Sequence, residues 1–289
     1  MSVLENRIKS GKFIVTSEVG PPKGTDIHEL LDDADLLRGR VDAINVTDLQ
    51  SSVMRIGSFI VCHLLKERGH EVVFQVACRD RNRLALQSDL LSAAVVGIEN
   101  ILSITGDHPI LGDHPQARAV FDLDSIQLLL AIKGLQEGHD MAGKQLKGVP
   151  KFYPGAVVNP GAEPLEPEII KMEKKIKAGA QFFQTQAVYD VKAFENFINN
   201  VKHLKTTIMV GIVLLKSAGM ARFMNKNVAG VFVPDNLIEE MDKATDKPKK
   251  SIEIAARLIK EVKGLCQGAH IMPIGWDKRV PEVLDAAGL

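Results

Sequence analysis

Short apolar, β-branched runs recur eight times along the chain, separated by stretches whose apolar residues return every three or four positions. The runs fall at Phe13–Val19, Val41–Val46, Glu71–Ala77, Ile101–Ile104, Phe152–Val158, Ala180–Gln184, Thr207–Val213 and Ala269–Ile274. Most are too uniformly apolar for a sheet with one wet face; strands of a parallel sheet buried on both sides have this character. The intervening segments read as amphipathic helices. Asp26–Leu37 follows Gly24–Thr25 and is acidic in its first turns, where negative charge meets the helix dipole favourably. Pro167–Ala178 carries a first-turn proline and a lysine-rich C-terminal half, with Gly179 as a stop. Ser251–Lys263 opens on Ser251 as an N-cap, and the polar Asp242–Lys250 stretch with Pro248 reads as an exposed loop.

Strands alternating with helices over the whole length predict βαβ units. Eight units predict closure into a single (β/α)8 TIM barrel, with residues 1–289 forming one domain. An open doubly wound sheet is the alternative that periodicity leaves standing. Such barrels run to roughly 250 residues, so the 289 residues suit one of them. There is no internal repeat, low-complexity segment or linker.

Charge narrows the partners. Lys plus Arg and Asp plus Glu number 36 each, so no global field gathers nucleic acid or an anionic membrane, and an anionic ligand must be held by local geometry. The three cysteines, Cys62, Cys78 and Cys266, have neither C-x-x-C pairing nor metal-ligand spacing, which fits a reducing cytoplasm. Met1–Gly11 has no apolar signal core and no apolar run is long enough to span a bilayer. The expectation is a cytoplasmic protein.

In barrels of this class the chemistry sits beyond the C-terminal ends of the strands. Those ends carry Glu18, Thr47 and Asp48, Gln75 and Asp80, Thr105-Gly106-Asp107, Asn159, Gln184 and Gln186, Lys216 and Ser217, and Trp276. Glu18 closes the first apolar run; desolvation at a barrel mouth favours a protonated carboxyl, which suits a general acid, while a salt bridge to a neighbouring loop is the plainer role. Asp107 follows Gly106, where the backbone can turn or approach a ligand closely, and could stabilise a cation or simply make the turn. Gln184 and Gln186, two apart, share one side of a strand, and amides both donate and accept as the edge of a pterin requires. Asn159 and Lys175 are candidates for phosphate or ribityl contacts, although most helix lysines are solvated. Lys216 has the position of a Schiff-base lysine, a role few strand-end lysines fill. His63, His70, His203 and His270 have no acidic or cysteine partner at ligand spacing and read as structural. Neither G-x-G-x-x-G nor G-x-x-x-x-G-K-[ST] occurs, against a Rossmann site or P-loop.

Five segments in this order resemble the catalytic barrel of methylenetetrahydrofolate reductases: Ser17-Glu18-Val19-Gly20-Pro21-Pro22, Asn45-Val46-Thr47, Thr105-Gly106-Asp107-His108-Pro109, Ala178-Gly179-Ala180 and Thr185-Gln186. The likeness runs from about Phe13 to the C-terminus. It implies a non-covalent flavin (FAD or FMN) across the mouth with folate stacked over it. By the family pattern Glu18 matches the general acid, Asp107 the aspartate near flavin and pterin, and Gln186 the folate-contacting glutamine. Flavin contacts match at Thr47, Gly106, Glu168 and Lys175, and the neighbouring family positions are Gln75, Thr105 and Asn159. Three of these depart from the pattern: Gln75 and Asn159 replace histidines and Thr105 an arginine. Ala218 replaces a phenylalanine that contacts substrate and nicotinamide in bacterial members. The resemblance is to the short form of anaerobes, and implies an oligomer or hetero-complex with electrons from NAD(P)H or an iron–sulfur partner subunit. Two rivals share its features: a flavin-free pterin barrel such as a methyltetrahydrofolate–corrinoid methyltransferase, and a non-catalytic subunit of a larger redox complex.

Overall fold

A computed structural model describes residues 1–289. Eight parallel strands, β1 (Ile14–Val19), β2 (Ala43–Val46), β3 (Val72–Ala77), β4 (Asn100–Ile104), β5 (Tyr153–Val158), β6 (Phe182–Ala187), β7 (Thr207–Val213) and β8 (Gly268–Met272), close in sequence order. The seam pairs Thr16 of β1 with His270 of β8. Helices fill the connections, so the expected (β/α)8 barrel is the observed one and the open sheet is excluded.

Strand parity builds two cores. Outward residues such as Ile44, Phe74, Ile101, Val210 and Ile271 pack against the helices. Inward residues at the base, Ile14, Ala43, Val73, Leu102, Tyr153, Phe182 and Met209, fill the barrel, with Leu4 of the helix Val3–Lys9 plugging its floor. Gly155 is needed there: a Cβ on it would stand 2.2 Å from the Phe182 ring, which stacks on Tyr153 at 5.5 Å between centroids. Two residues further along β1, β2, β3 and β6 the same parity places Thr16, Asn45, Gln75 and Gln184 inside, and His270 of β8 stands beside Thr16. The interior therefore turns polar toward the C-terminal end, where Glu18 stands another step up β1.

Three local expectations change. The acidic helix is His28–Asp35, shorter than the pattern indicated. The helix assigned from Ser251 begins at Lys247, with Asp246 as its side-chain cap and Pro248 in its first turn, where a missing N–H costs nothing. Ser251 is instead buried inside that helix. The supposed loop Asp242–Lys250 shrinks accordingly, because Asp235–Lys243 is helical too. No helix is long and apolar enough to cross a membrane.

Candidate active site

At the C-terminal mouth a cavity of about 250 Å³ opens over β3 to β6 and the β8–β1 seam. It is lined by the apolar Leu102, Ile104, Val157, Val158 and Met272 and by the polar Glu18, Gln75, Asn159, Glu168, Gln184, Gln186 and His270. Ligand pockets typically occupy about 300–1,000 Å³, so this one suits a single planar ring system, with the rest of the ligand outside.

Glu18 is 6% exposed. Its Oε1 accepts from the Gln50 amide at 3.2 Å and its Oε2 lies 3.6 Å from His270 Nε2. Beneath it runs a buried network: Gln184 and Asn45 exchange amide hydrogen bonds at 2.7 and 3.1 Å, Gln184 also donates to Thr16 Oγ1 at 3.2 Å, and Thr16 Oγ1 meets His270 Nδ1 at 2.9 Å. These hydrogen bonds offset the cost of burying the amides and fix the floor beneath Glu18. Gln75, 8% exposed, differs: its amide bonds to no protein group and borders the cavity. Glu168 accepts from the Asn159 backbone N–H at 3.0 Å, tying the loop after β5 to the helix Glu166–Lys177.

The structure thus brings Glu18, Gln75, Asn159, Glu168 and Gln186 around one cavity. The other expected residues lie elsewhere. Thr47 is buried, its hydroxyl donating to the Val19 carbonyl. Thr105 accepts from the Ser125 N–H. Asp107 is exposed on the turn after β4, its carboxylate unpaired. Gly106 there holds φ 89°, and a Cβ on it would crowd Arg79 Cβ at 3.1 Å. The Lys175 ammonium is buried and donates to the Val157 carbonyl at 2.7 Å; burial lowers its pKa.

The histidine reading needs correction. His63, His70, His203 and His270 each lie within 4 Å of a carboxylate, respectively Glu67, Asp35, Glu173 and Glu18. The first three pairs lie away from the mouth. His270 belongs to the site, and the signal was available: with Met272 it shares the inward parity of β8. Lys216 rests over the Trp276 ring at 5.3 Å. Asp277, beyond β8, has its carboxyl pushed up to about 6, chiefly by burial, with Asp33 and Glu18 adding repulsion.

A flavin can be tested against this lining. The unpartnered Gln75 amide supplies a donor and an acceptor of the kind the amide-like edge of an isoalloxazine needs, and Leu102, Ile104, Val157 and Met272 supply apolar surface for its face. The Asn159 amide is already engaged, donating to the Ala229 carbonyl at 3.0 Å and accepting from the Gly161 N–H at 3.2 Å. The ring fits these residues. Lys175, already committed to Val157, is not free for a phosphate.

Fold and site together define a closed parallel (β/α)8 barrel with a carboxylate and neutral amides at its C-terminal mouth. The family model for methylenetetrahydrofolate reductase matches residues 3–288, and the chain belongs to that family. Methylenetetrahydrofolate reductase 2 of Schizosaccharomyces pombe is 24% identical over 312 residues, covering 99% of this chain and 47% of that protein. The 5,10-methylenetetrahydrofolate reductase of Pectobacterium carotovorum subsp. carotovorum is 27% identical over 190 residues, 65% of this chain and 58% of its own. The chain spans less than half the length of the fission-yeast relative and 36% of a probable NADPH-type reductase of Caenorhabditis elegans. Among solved structures, an uncharacterised Clostridium thermocellum protein described as binding two copies of 5-methyl-5,6,7,8-tetrahydrofolic acid superposes with a TM-score of 0.68. The match covers 98% of this chain and 97% of that one at 18% identity, a likeness of fold.

Proposed function

We propose that this protein reduces 5,10-methylenetetrahydrofolate to 5-methyltetrahydrofolate, with Glu18 as general acid. The observation that carries the reading is Glu18 itself: a buried carboxyl at the inner wall of a ring-sized cavity, held by Gln50 and faced by His270. Glu18 donates its proton to the bridging nitrogen of the substrate, and the five-membered ring opens to an iminium cation. The Asp107 carboxylate, exposed on the turn after β4, stabilises that cation, a type of interaction worth a few kcal/mol when preorganised. Gln186 holds the pterin edge. A bound flavin supplies the hydride. Gln75 would hold its ring, with Asn159 and Glu168, bonded to each other through the Asn159 N–H, bounding the cavity beside it. Thr47, Thr105, Gly106 and Lys175 would shape the strand ends around it.

For the electron donor, the reading favours an iron–sulfur partner subunit over direct NAD(P)H binding. Ala218 is 4% exposed at the start of its helix and gives a nicotinamide no surface to stack on. Exposed Ile110 and Leu111, after β4, and Phe223 and Phe232, after β7, offer apolar surface that suits a protein partner. The test is a visible spectrum of the purified protein, with and without added FAD or FMN, followed by turnover of methylenetetrahydrofolate with an artificial donor. Yellow protein and turnover are expected. A colourless protein that binds neither flavin yet binds methyltetrahydrofolate would overturn the reductase reading in favour of a methyl-transferring barrel.

A further inference from the structure

The loops after β2, β3 and β4 meet over one side of the mouth, and one guanidinium joins all three. The Arg79 side chain, two residues beyond β3, is 3% exposed. All five of its N–H groups have acceptors. Nε and Nη2 donate to the Asp80 carboxylate at 2.7–3.0 Å, and Nη2 also to the Leu49 carbonyl at 3.2 Å. Nη1 donates to Ser52 Oγ at 3.0 Å and to the Asp107 carbonyl at 3.4 Å. Ser52 Oγ in turn donates to the Asp107 carbonyl at 3.0 Å. A planar fork can span three chain segments in this way; an ammonium on a flexible stem cannot.

The backbone around this guanidinium is held in conformations it would not adopt alone. Leu49, Ser51 and Ser52 have left-handed φ of 47°, 55° and 58°, which non-glycine residues keep only when their surroundings impose it. Arg79 grips two of those three. The loops touch through backbone as well, since a Cβ at Gly112 would stand 1.9 Å from the Ser52 carbonyl oxygen. Leu49 is followed by Gln50, whose amide holds Glu18 at 3.2 Å.

We propose that Arg79 is a positioning residue that fixes Glu18 and Asp107 relative to one another. It reaches Glu18 through Leu49 and Gln50, and Asp107 through Ser52 and the Asp107 carbonyl, without touching either carboxylate. The inference rests on the roles proposed for those carboxylates. It implies that the acid and the cation-stabilising group move apart together when the guanidinium is removed.

Hydrogen–deuterium exchange on wild type, Arg79→Met, Arg79→Lys and Ser52→Ala, with steady-state kinetics, tests this. Both Arg79 variants should speed exchange in residues 47–54 and 105–113 by about tenfold or more, leaving β5 to β7 protected. The value of kcat should fall about 10- to 100-fold with KM little changed, as expected of misplaced catalytic groups, and lysine should not rescue it. Unchanged exchange in either loop, or loosened loops with wild-type kcat, would overturn the proposal. Should Arg79→Met not fold, Ser52→Ala must still loosen 105–113, and its failure to do so counts equally against it. If wild type itself turns over no folate, the functional reading fails, while the exchange data still decide whether Arg79 joins the loops.

Discussion

Glu18 and His270 face each other across the seam where the barrel closes, with Glu18 Oε2 3.6 Å from His270 Nε2. The other ring nitrogen, Nδ1, has the Thr16 hydroxyl at 2.9 Å and the Gln184 amide nitrogen, a donor only, at 3.3 Å. Thr16, Gln184 and Asn45 pack one hydrogen-bonded layer against the ring. The buried network below thus holds the imidazole in place, and the imidazole bounds one side of Glu18.

Replacing Glu18 by Gln keeps this geometry and removes the transferable proton. Folate turnover should fall at least about 100-fold, and up to about 10,000-fold, the usual span of general acid catalysis. Binding of methyltetrahydrofolate and the melting temperature should stay close to wild type. Turnover within a few-fold of wild type, measured in parallel with binding, would remove Glu18 from the chemistry.

All eight strands and the closure of the barrel were legible because a strand buried on both faces cannot hide its apolar character, and eight βα units leave few alternatives. Glu18, Gln184 and Gln186 were legible for a related reason: parity along a strand carries Ile14 to Thr16 to Glu18 on one face. What the pattern hid are interactions made between distant segments. Asp246 displaced Ser251 as a cap because capping depends on which N–H groups are left open, and Pro248 fits the first turn. His270 lies 252 positions from Glu18 and shows no ligand spacing in the chain, and Arg79 reads as an ordinary charge after a strand. Lys175 looked solvated or phosphate-bound, yet its amphipathic helix turns it inward onto Val157.

The Asn45–Gln184 pair offers a test of the buried network. Each amide serves the other as donor and acceptor in an interior that excludes water. Asn45→Leu or Gln184→Met alone strands its partner and should cost about 1–3 kcal/mol. The double variant should cost clearly less than the sum, since both polar groups are then gone. Urea unfolding of the four proteins measures this, and strict additivity would mean that the pair does not act as a unit.

Gly155→Ala should be among the most destabilising single-methyl additions in the chain. The new Cβ would stand 2.2 Å from the Phe182 ring, which is fully buried and stacked on Tyr153. Overpacking of a filled core costs about 1–3 kcal/mol. Pairing it with Phe182→Leu should recover part of the loss. A Gly155→Ala protein as stable as wild type in thermal unfolding would show that the barrel interior has slack there.

Asp277 makes stability depend on pH in a direction opposite to that of an ordinary salt-bridged carboxylate. Burial, with Asp33 and Glu18 nearby, lifts its carboxyl from 3.8 to about 6 in the folded chain. A carboxyl raised on folding binds its proton more tightly in the native state. Its stabilising contribution is therefore fully present below about pH 3.8, and it is lost as the pH climbs through about 6. Asp277→Asn should match wild type near pH 4 and become more stable than wild type above about pH 6. The gain should be about 1–2 kcal/mol, less than the full shift would give because the side chain keeps some contact with water. Urea midpoints for the two proteins across pH 4 to 8 supply the measurement. A constant difference between them over that range would mean that the Asp277 carboxyl is not the group responsible.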